Sequence, residues 1–236
     1  MPPRRAGSGR AAALVALLLP AACAAPPPAR APDPALAAAA AVAEIRSGAP
    51  PRCDATGAAT HLGGGRFVTA AHVVDGSAQR LRGDCPPGPP AVLLSVRGAP
   101  APAVLLRAGR DRVDRGIGQR YLAGEDVALL RPAAALPQLG AATPCAADPA
   151  PGAPVLLVSP VRALRTRISD IHRDRDPAFG SYLEIPVALQ PGESGGAVFE
   201  AASGCLAGLI SHRDGDAGPP GTRLVPASVI RRFAAP

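Results

Sequence analysis

The chain has 236 residues, 30 of them proline and 26 glycine, with a formal net charge of +7 and only 3% aromatic residues. All 25 basic residues are arginine; they are scattered, and aromatics for stacking bases are scarce, so nucleic-acid binding is set aside as a minor reading. The lack of lysine, asparagine and tryptophan beside abundant Ala, Gly and Pro points to a GC-rich genome rather than to a face built for anions.

Residues 1–24 have the three parts of an export signal: Arg4, Arg5 and Arg10, an apolar run from Ala11 to Leu19, then small residues. That run is shorter than the ~20 residues a spanning helix needs. Leu19-Pro20-Ala21-Ala22-Cys23 looks like a bacterial lipoprotein cleavage site, although Pro20 departs from the usual aliphatic residue. We favour a lipidated Cys23, and with it a membrane tether, over ordinary cleavage near Ala24 or Ala25. Residues 25–42, rich in Ala and Pro without an apolar period, read as a linker. The folded domain is then expected over 43–236.

Removing Cys23 leaves Cys53, Cys85, Cys145 and Cys205. An even set in an exported chain reads as a disulfide framework rather than a metal site, since no CxxC or His/Cys cluster is present. Of the three pairings, Cys53–Cys85 and Cys145–Cys205 are favoured because each stays within one half of the chain.

Short apolar runs broken by Gly, Pro, Asp and Ser predict strands over Gly57–Leu62, Arg66–Ala70, Ala91–Val96, Ala103–Ala108 and Asp126–Arg131. A Pro/Ala/Gly-rich connection, 132–154, follows. A second set is expected at Val155–Ser159, Leu164–His172, Tyr182–Val187, Gly196–Phe199, Cys205–Ser211 and Thr222–Val225, and Pro226–Phe233 closes the chain as a short helix. Arg110–Arg120 reads as a surface loop, and the mixed charges of Ile168–Asp176 as a solvated hairpin. The pattern predicts an all-β fold of two packed six-stranded antiparallel barrels, about 43–131 and 155–236, with a short C-terminal helix.

Three segments carry chemistry. Thr69-Ala70-Ala71-His72, Asp126-Val127-Ala128-Leu129-Leu130 and Gly192-Glu193-Ser194-Gly195-Gly196 appear in that order. Serine needs an imidazole to take its proton, and the imidazole needs a carboxylate to fix its tautomer. Gly192–Gly196 also fits the G-x-S-x-G elbow of α/β-hydrolases, but those place acid and histidine after the serine. Only 42 residues follow Ser194 here, with His212 the sole later histidine, so that reading fails.

Together the segments Phe67–Val74, Glu125–Leu130 and Pro191–Phe199 resemble the trypsin/chymotrypsin-like serine endopeptidases, and among bacterial exported forms the HtrA/Deg protease domain, here without a PDZ domain. The resemblance implies His72 as general base, Asp126 as its orienting carboxylate, Ser194 as nucleophile, and the Gly192 and Ser194 N–H groups as oxyanion hole. It implies a P1 pocket based near Ala188, with Leu189, Ser211, His212, Arg213 and Gly221 as walls. No aspartate sits at that base, so small or medium apolar P1 residues are expected. Glu193 departs from the aspartate or asparagine of relatives, and if buried it needs an arginine or backbone donors. No cofactor or metal is implied. The leading expectation is an exported serine endopeptidase of the periplasm or cell envelope, otherwise secreted, acting on peptides or proteins, with its oligomeric state left open. The alternatives are a catalytically weak relative that binds peptides and a basic surface-binding protein.

Overall fold

Alternation of side chains along each strand turns the apolar runs into inward faces. The computed structural model describes residues 33–50, 52–77, 80, 85–86, 89–114, 118–213 and 221–235; the expected export signal, Cys23 and the linker up to residue 32 lie outside them. In chain order the first half runs β1 (Val42–Ala49), β2 (Cys53–Gly63), β3 (Arg66–Thr69), β4 (Val92–Val96), β5 (Ala99–Ala108), β6 (Asp111–Asp114), β7 (Gly118–Tyr121) and β8 (Ala128–Pro132). Six of these close a barrel in the order β1-β2-β3-β8-β5-β4. Ile45, Phe67, Leu94 and Leu130 fill it. Strands β6 and β7 form a separate hairpin, where the sequence pattern suggested a surface loop over Arg110–Arg120.

The second half runs β9 (Pro154–Val158), β10 (Ala163–Arg167), β11 (Asp170–Arg173), β12 (Ser181–Ile185), β13 (Ala197–Glu200), β14 (Leu206–Arg213) and β15 (Thr222–Pro226). These make one seven-stranded sheet in the order β10-β9-β13-β14-β15-β12-β11, where a six-stranded barrel was expected. Its two edges, β10 and β11, are joined only by Ile168 and Ser169. A two-residue link between opposite edges forces the sheet to curl into a half-barrel. The single strand expected over Leu164–His172 is therefore one bent path, turned at the fully buried Ile168. The fold is chymotrypsin-like.

Between the halves lies another core, in which Val68 and Leu129 of the barrel meet Leu156, Phe199 and Leu209 of the sheet. Helix α3 (Ala227–Ala234; α1 and α2 follow below) seals it with Val229, Ile230 and Phe233. Part of the expected linker belongs to this core as well. Asp33 caps α1 (Pro34–Ala38) by accepting from the Ala35 N–H at 3.0 Å, a 3₁₀ turn spans Ala39–Ala41, and Ala35 and Ala41 are fully buried. Residues 34–41, expected in the linker, thus belong to the packed fold, because alanine fits a tight core as readily as a tether. Residues 132–154 have little regular structure but are tied down, with the Ala142 N–H donating to the His61 carbonyl at 2.8 Å. Disulfides join Cys53 to Cys85 and Cys145 to Cys205. Among the described residues no helix is long and apolar enough to cross a membrane.

Candidate active site

Strand register brings the first two candidate residues together. Strands β3 and β8 pair antiparallel, Thr69 opposite Ala128, so the chain leaves β3 where it enters β8. His72 lies just past one end, in the short helix α2 (Ala71–Val74), and Asp126 just before the other. Asp126, only 1% exposed, grips His72 twice: Oδ2 accepts from Nδ1 at 2.8 Å and Oδ1 from the His72 backbone N–H at 3.0 Å. The two contacts fix ring position and tautomer together.

Their charges follow. Burial disfavours an imidazolium at His72, but the Asp126 charge and hydrogen bond outweigh it and raise the pKa above the usual imidazole value. Burial likewise works against the Asp126 carboxylate, yet His72 and the Ser211 hydroxyl bring its pKa down to about 2. Helix α2 is braced from both sides. The buried Ser47 hydroxyl of β1 donates to the Val73 carbonyl. Tyr121 of β7 donates to Asp75 at 2.5 Å, and Gln119 donates to the Tyr121 oxygen at 2.8 Å. Burial, then the Asp126 and Asp75 charges, push the Tyr121 pKa up, which keeps that phenol a donor.

The turn carrying Ser194 packs directly on the histidine segment. A Cβ at Gly195 would run into the Thr69 hydroxyl and the Ala58 carbonyl, and one at Gly57 into the Ser194 carbonyl; only glycine permits these approaches. The Ala58 N–H donates to the Ser194 carbonyl at 2.8 Å. Gly192 has a φ of +86°, a backbone state that a side chain would strain. Among the described residues, neither the Gly192 nor the Ser194 N–H donates to another protein group, so both are available to an anion.

Glu193 holds this turn from beneath. It is fully buried and receives Arg162 in a bidentate pair, Nε to Oε1 and Nη2 to Oε2, both at 2.8 Å. The Gln190 N–H adds a third donor at 2.7 Å and the Ser159 hydroxyl a fourth at 3.2 Å. Arg162 also donates to the Ala188 carbonyl at 2.7 Å, so one guanidinium from the β9–β10 turn organises residues 188–193. Nothing in the sequence separates Arg162 from the other arginines; its role depends on a fold contact across 31 positions.

A cleft of about 270 Å³ opens beside His72, walled by Tyr121, Phe179, Tyr182, His212 and Arg223. His212 was expected on the P1 wall, and the structure puts it in this cleft. The Ser211 hydroxyl, also expected there, donates instead to Asp126 Oδ2 at 2.5 Å. Of the other candidate pocket residues, Ala188 is exposed, Leu189 half-buried and Gly221 buried, while the Arg213 side chain falls outside the described residues. Arg120 bonds Asp174 at 2.5 Å and lies 3.5 Å over the Phe179 ring, closing the far rim. The compact grouping of Cys145, Glu200 and Cys205 could suggest a metal, but both sulfurs are in the disulfide.

Residues 55–209 match the sequence profile of the family described as "Trypsin-like peptidase domain". No curated protein matches the chain. Among solved structures, the Rv3671c protease from M. tuberculosis in its active form superposes with a TM-score of 0.62 at 22% identity, over 89% of this chain and 86% of that one. The HtrA-type protease AlgW with a tripeptide gives 0.58 at 20% identity, over 84% of this chain and 60% of that one. A serine endoprotease from Yersinia pestis gives 0.58 at 18% identity, over 84% and 63%. The chain thus spans about three-fifths of the two latter chains, and at such identities the likeness is one of fold.

Proposed function

The chain belongs to the trypsin-like serine peptidases, and from that premise we propose that it is an exported endopeptidase working through His72, Asp126 and Ser194. Asp126 commits the Nδ1 proton of His72, so Nε2 is the nitrogen left to take the Ser194 proton. Ser194 Oγ then attacks the peptide carbonyl, and the Gly192 and Ser194 N–H groups stabilise the oxyanion. His72 returns the proton to the leaving amine, and water repeats the sequence on the acyl-enzyme. The observation that carries this reading is the doubly held His72–Asp126 pair, set against the turn that bears Ser194.

The domain is proposed to begin near Asp33 after an export signal over 1–24, with Cys23 lipidated. Two disulfides suit an oxidising compartment such as the periplasm or envelope. AlgW is recorded with a tripeptide; by analogy a peptide or protein substrate is expected, with a small or medium apolar residue near Ala188 and Leu189. A fluorophosphonate probe tests the reading. Labelling of the folded protein that disappears in Ser194→Ala is expected. A folded protein that stays unlabelled would instead be a peptide-binding relative.

A further inference from the structure

We infer that His212 is a positioning residue for Asp126, acting through the Ser211 hydroxyl and held in one tautomer by Arg223. The inference rests on the proposed role of Asp126, and it begins from the direction of each hydrogen bond. Asp126 is a carboxylate and can only accept. Ser211, 1% exposed, has one proton, and at 2.5 Å that proton goes to Asp126 Oδ2. Its oxygen must therefore accept from the next neighbour, His212 Nδ1 at 2.8 Å, so Nδ1 carries the ring proton.

The other end of the ring agrees. His212 Nε2 faces Arg223 Nη1 at 3.5 Å. A guanidinium has only donors, so Nε2 must be the bare, accepting nitrogen. Arg223 is steadied in turn by His172, whose Nδ1 lies 3.4 Å from Nη2. Tyr182 packs edge-on to the His212 ring, with centroids 5.2 Å apart. The donors run Arg223 to His212 to Ser211 to Asp126, and Asp126 receives His72 from the opposite side.

This chain of donors has a consequence for the reaction. A buried hydroxyl with no donor of its own can rotate its proton toward any acceptor, and Asp126 then loses one of its fixed partners. With His212 donating to its oxygen, Ser211 is held as a donor to Asp126, and Asp126 in turn keeps the His72 ring aligned. His212 thus acts on the rate of chemistry rather than on substrate affinity.

Three substitutions separate this role from packing and from substrate contact. Asn places a donor where Nδ1 stands, Gln places its amide near Nε2, and Phe retains the ring without either. Fluorophosphonate inactivation of the full chain gives kinact and KI separately. His212→Asn is expected to stay within about twofold of the parent in kinact, while His212→Gln and His212→Phe fall by about 3- to 10-fold, the range for one neutral hydrogen bond, with any change in KI smaller than that in kinact. A His212→Phe protein as fast as the parent, or an equally slow His212→Asn, would overturn the inference; so would an effect confined to KI. A second readout does not depend on activity. In ¹⁵N-histidine NMR spectra, assigned by loss of the signal in His212→Asn, the His212 ring should carry its proton on Nδ1. An Nε2–H tautomer overturns the inference, whereas a parent protein that shows the Nδ1–H tautomer but resists the probe would indict the protease reading.

Discussion

His72 and Asp126 on one side, and the Ser194 turn on the other, are held by different means. The first pair stands at the adjoining ends of β3 and β8, two strands in direct register, so the sheet that forms the barrel also forms the pair. The turn at 192–195 sits ahead of β13 and depends on Glu193, whose partner Arg162 comes from the turn between β9 and β10. Sheet hydrogen bonds are cooperative and forgiving, because many contacts support each geometry. A single buried ion pair is not: removing one partner leaves a desolvated charge. The comparison teaches that the proposed acid–base half of the site should tolerate change around it, whereas the proposed oxyanion half should fail at one residue.

The largest effect tests the register-held half directly. Asp126→Asn retains the shape but offers His72 the wrong hydrogen-bonding pattern, and turnover should fall about 10⁴-fold. The acid limb of the pH–rate profile sharpens this. As the proposed general base His72 acts when neutral, so activity should be lost as pH falls through its raised pKa. In Asp126→Asn the larger of the two charges that raise it is gone, leaving Asp75 alone against burial, and the limb should move to lower pH. Stability has a different sign for each partner. The raised His72 pKa stabilises the fold fully only below about 6.5, and that contribution is lost as pH rises through the folded value. Asp126 stabilises it above about 3.9, and that is lost as pH falls through about 2. Around neutral pH the carboxylate therefore contributes in full, whereas the imidazolium contribution is already declining toward the folded pKa of His72. A limb that stays in place in Asp126→Asn would break the assignment of that limb to His72.

Arg162→Met is the corresponding test of the other half. The buried Glu193 carboxylate would lose both guanidinium contacts, at a cost of about 3–5 kcal/mol in stability. Ala188 and Gln190 would drift with it, and turnover should fall about 10²–10³-fold, as for loss of an oxyanion donor. Adding Glu193→Gln removes the stranded charge, so stability should largely return while turnover stays low, because the donors to residues 188–193 are still missing. Undiminished turnover in Arg162→Met would show that the turn holds itself.

The same contrast explains what could be read in advance. His72 and Asp126 stand in contiguous motifs beside apolar strands, and local spacing is enough to find them. Glu193 advertised its need for a partner, but Arg162 lies in a chain with 25 arginines and no lysine, where a basic residue carries little information. Residues 34–49 were hidden for a related reason. Ala35, Ala41 and Ala43 are all core residues, yet alanine gives almost no contrast between a buried face and a tether. Strand β1 does alternate, with Ala43, Ile45 and Ser47 inward and Glu44 and Arg46 outward, but the alanines before it disguised where the fold begins. The bend at Ile168 was illegible because a lone isoleucine between Arg167 and Ser169, with no glycine or proline beside it, marks no corner. It becomes one only when the two edges of a curled sheet must meet.

The smallest effect asks whether any long-range contact in the second half controls the site, or only the one that feeds the Ser194 turn. Asp148 reaches 80 positions along the chain to the start of α3, accepting from the Ser228 N–H at 2.7 Å and hydroxyl at 2.6 Å. A carboxylate there satisfies an orphan amide and suits the positive end of the helix dipole. Asp148→Ala should cost about 1 kcal/mol, seen as a lower denaturation midpoint at unchanged m-value. Helix α3 packs into the core between the halves through Val229, Ile230 and Phe233 but touches neither Glu193 nor Asp126 by any hydrogen bond among the described residues. Fluorophosphonate labelling should therefore keep its parent rate. A rate that falls with the midpoint would mean that the Ser194 turn responds to the packing of the whole half, and that the Arg162 pair is one brace among several.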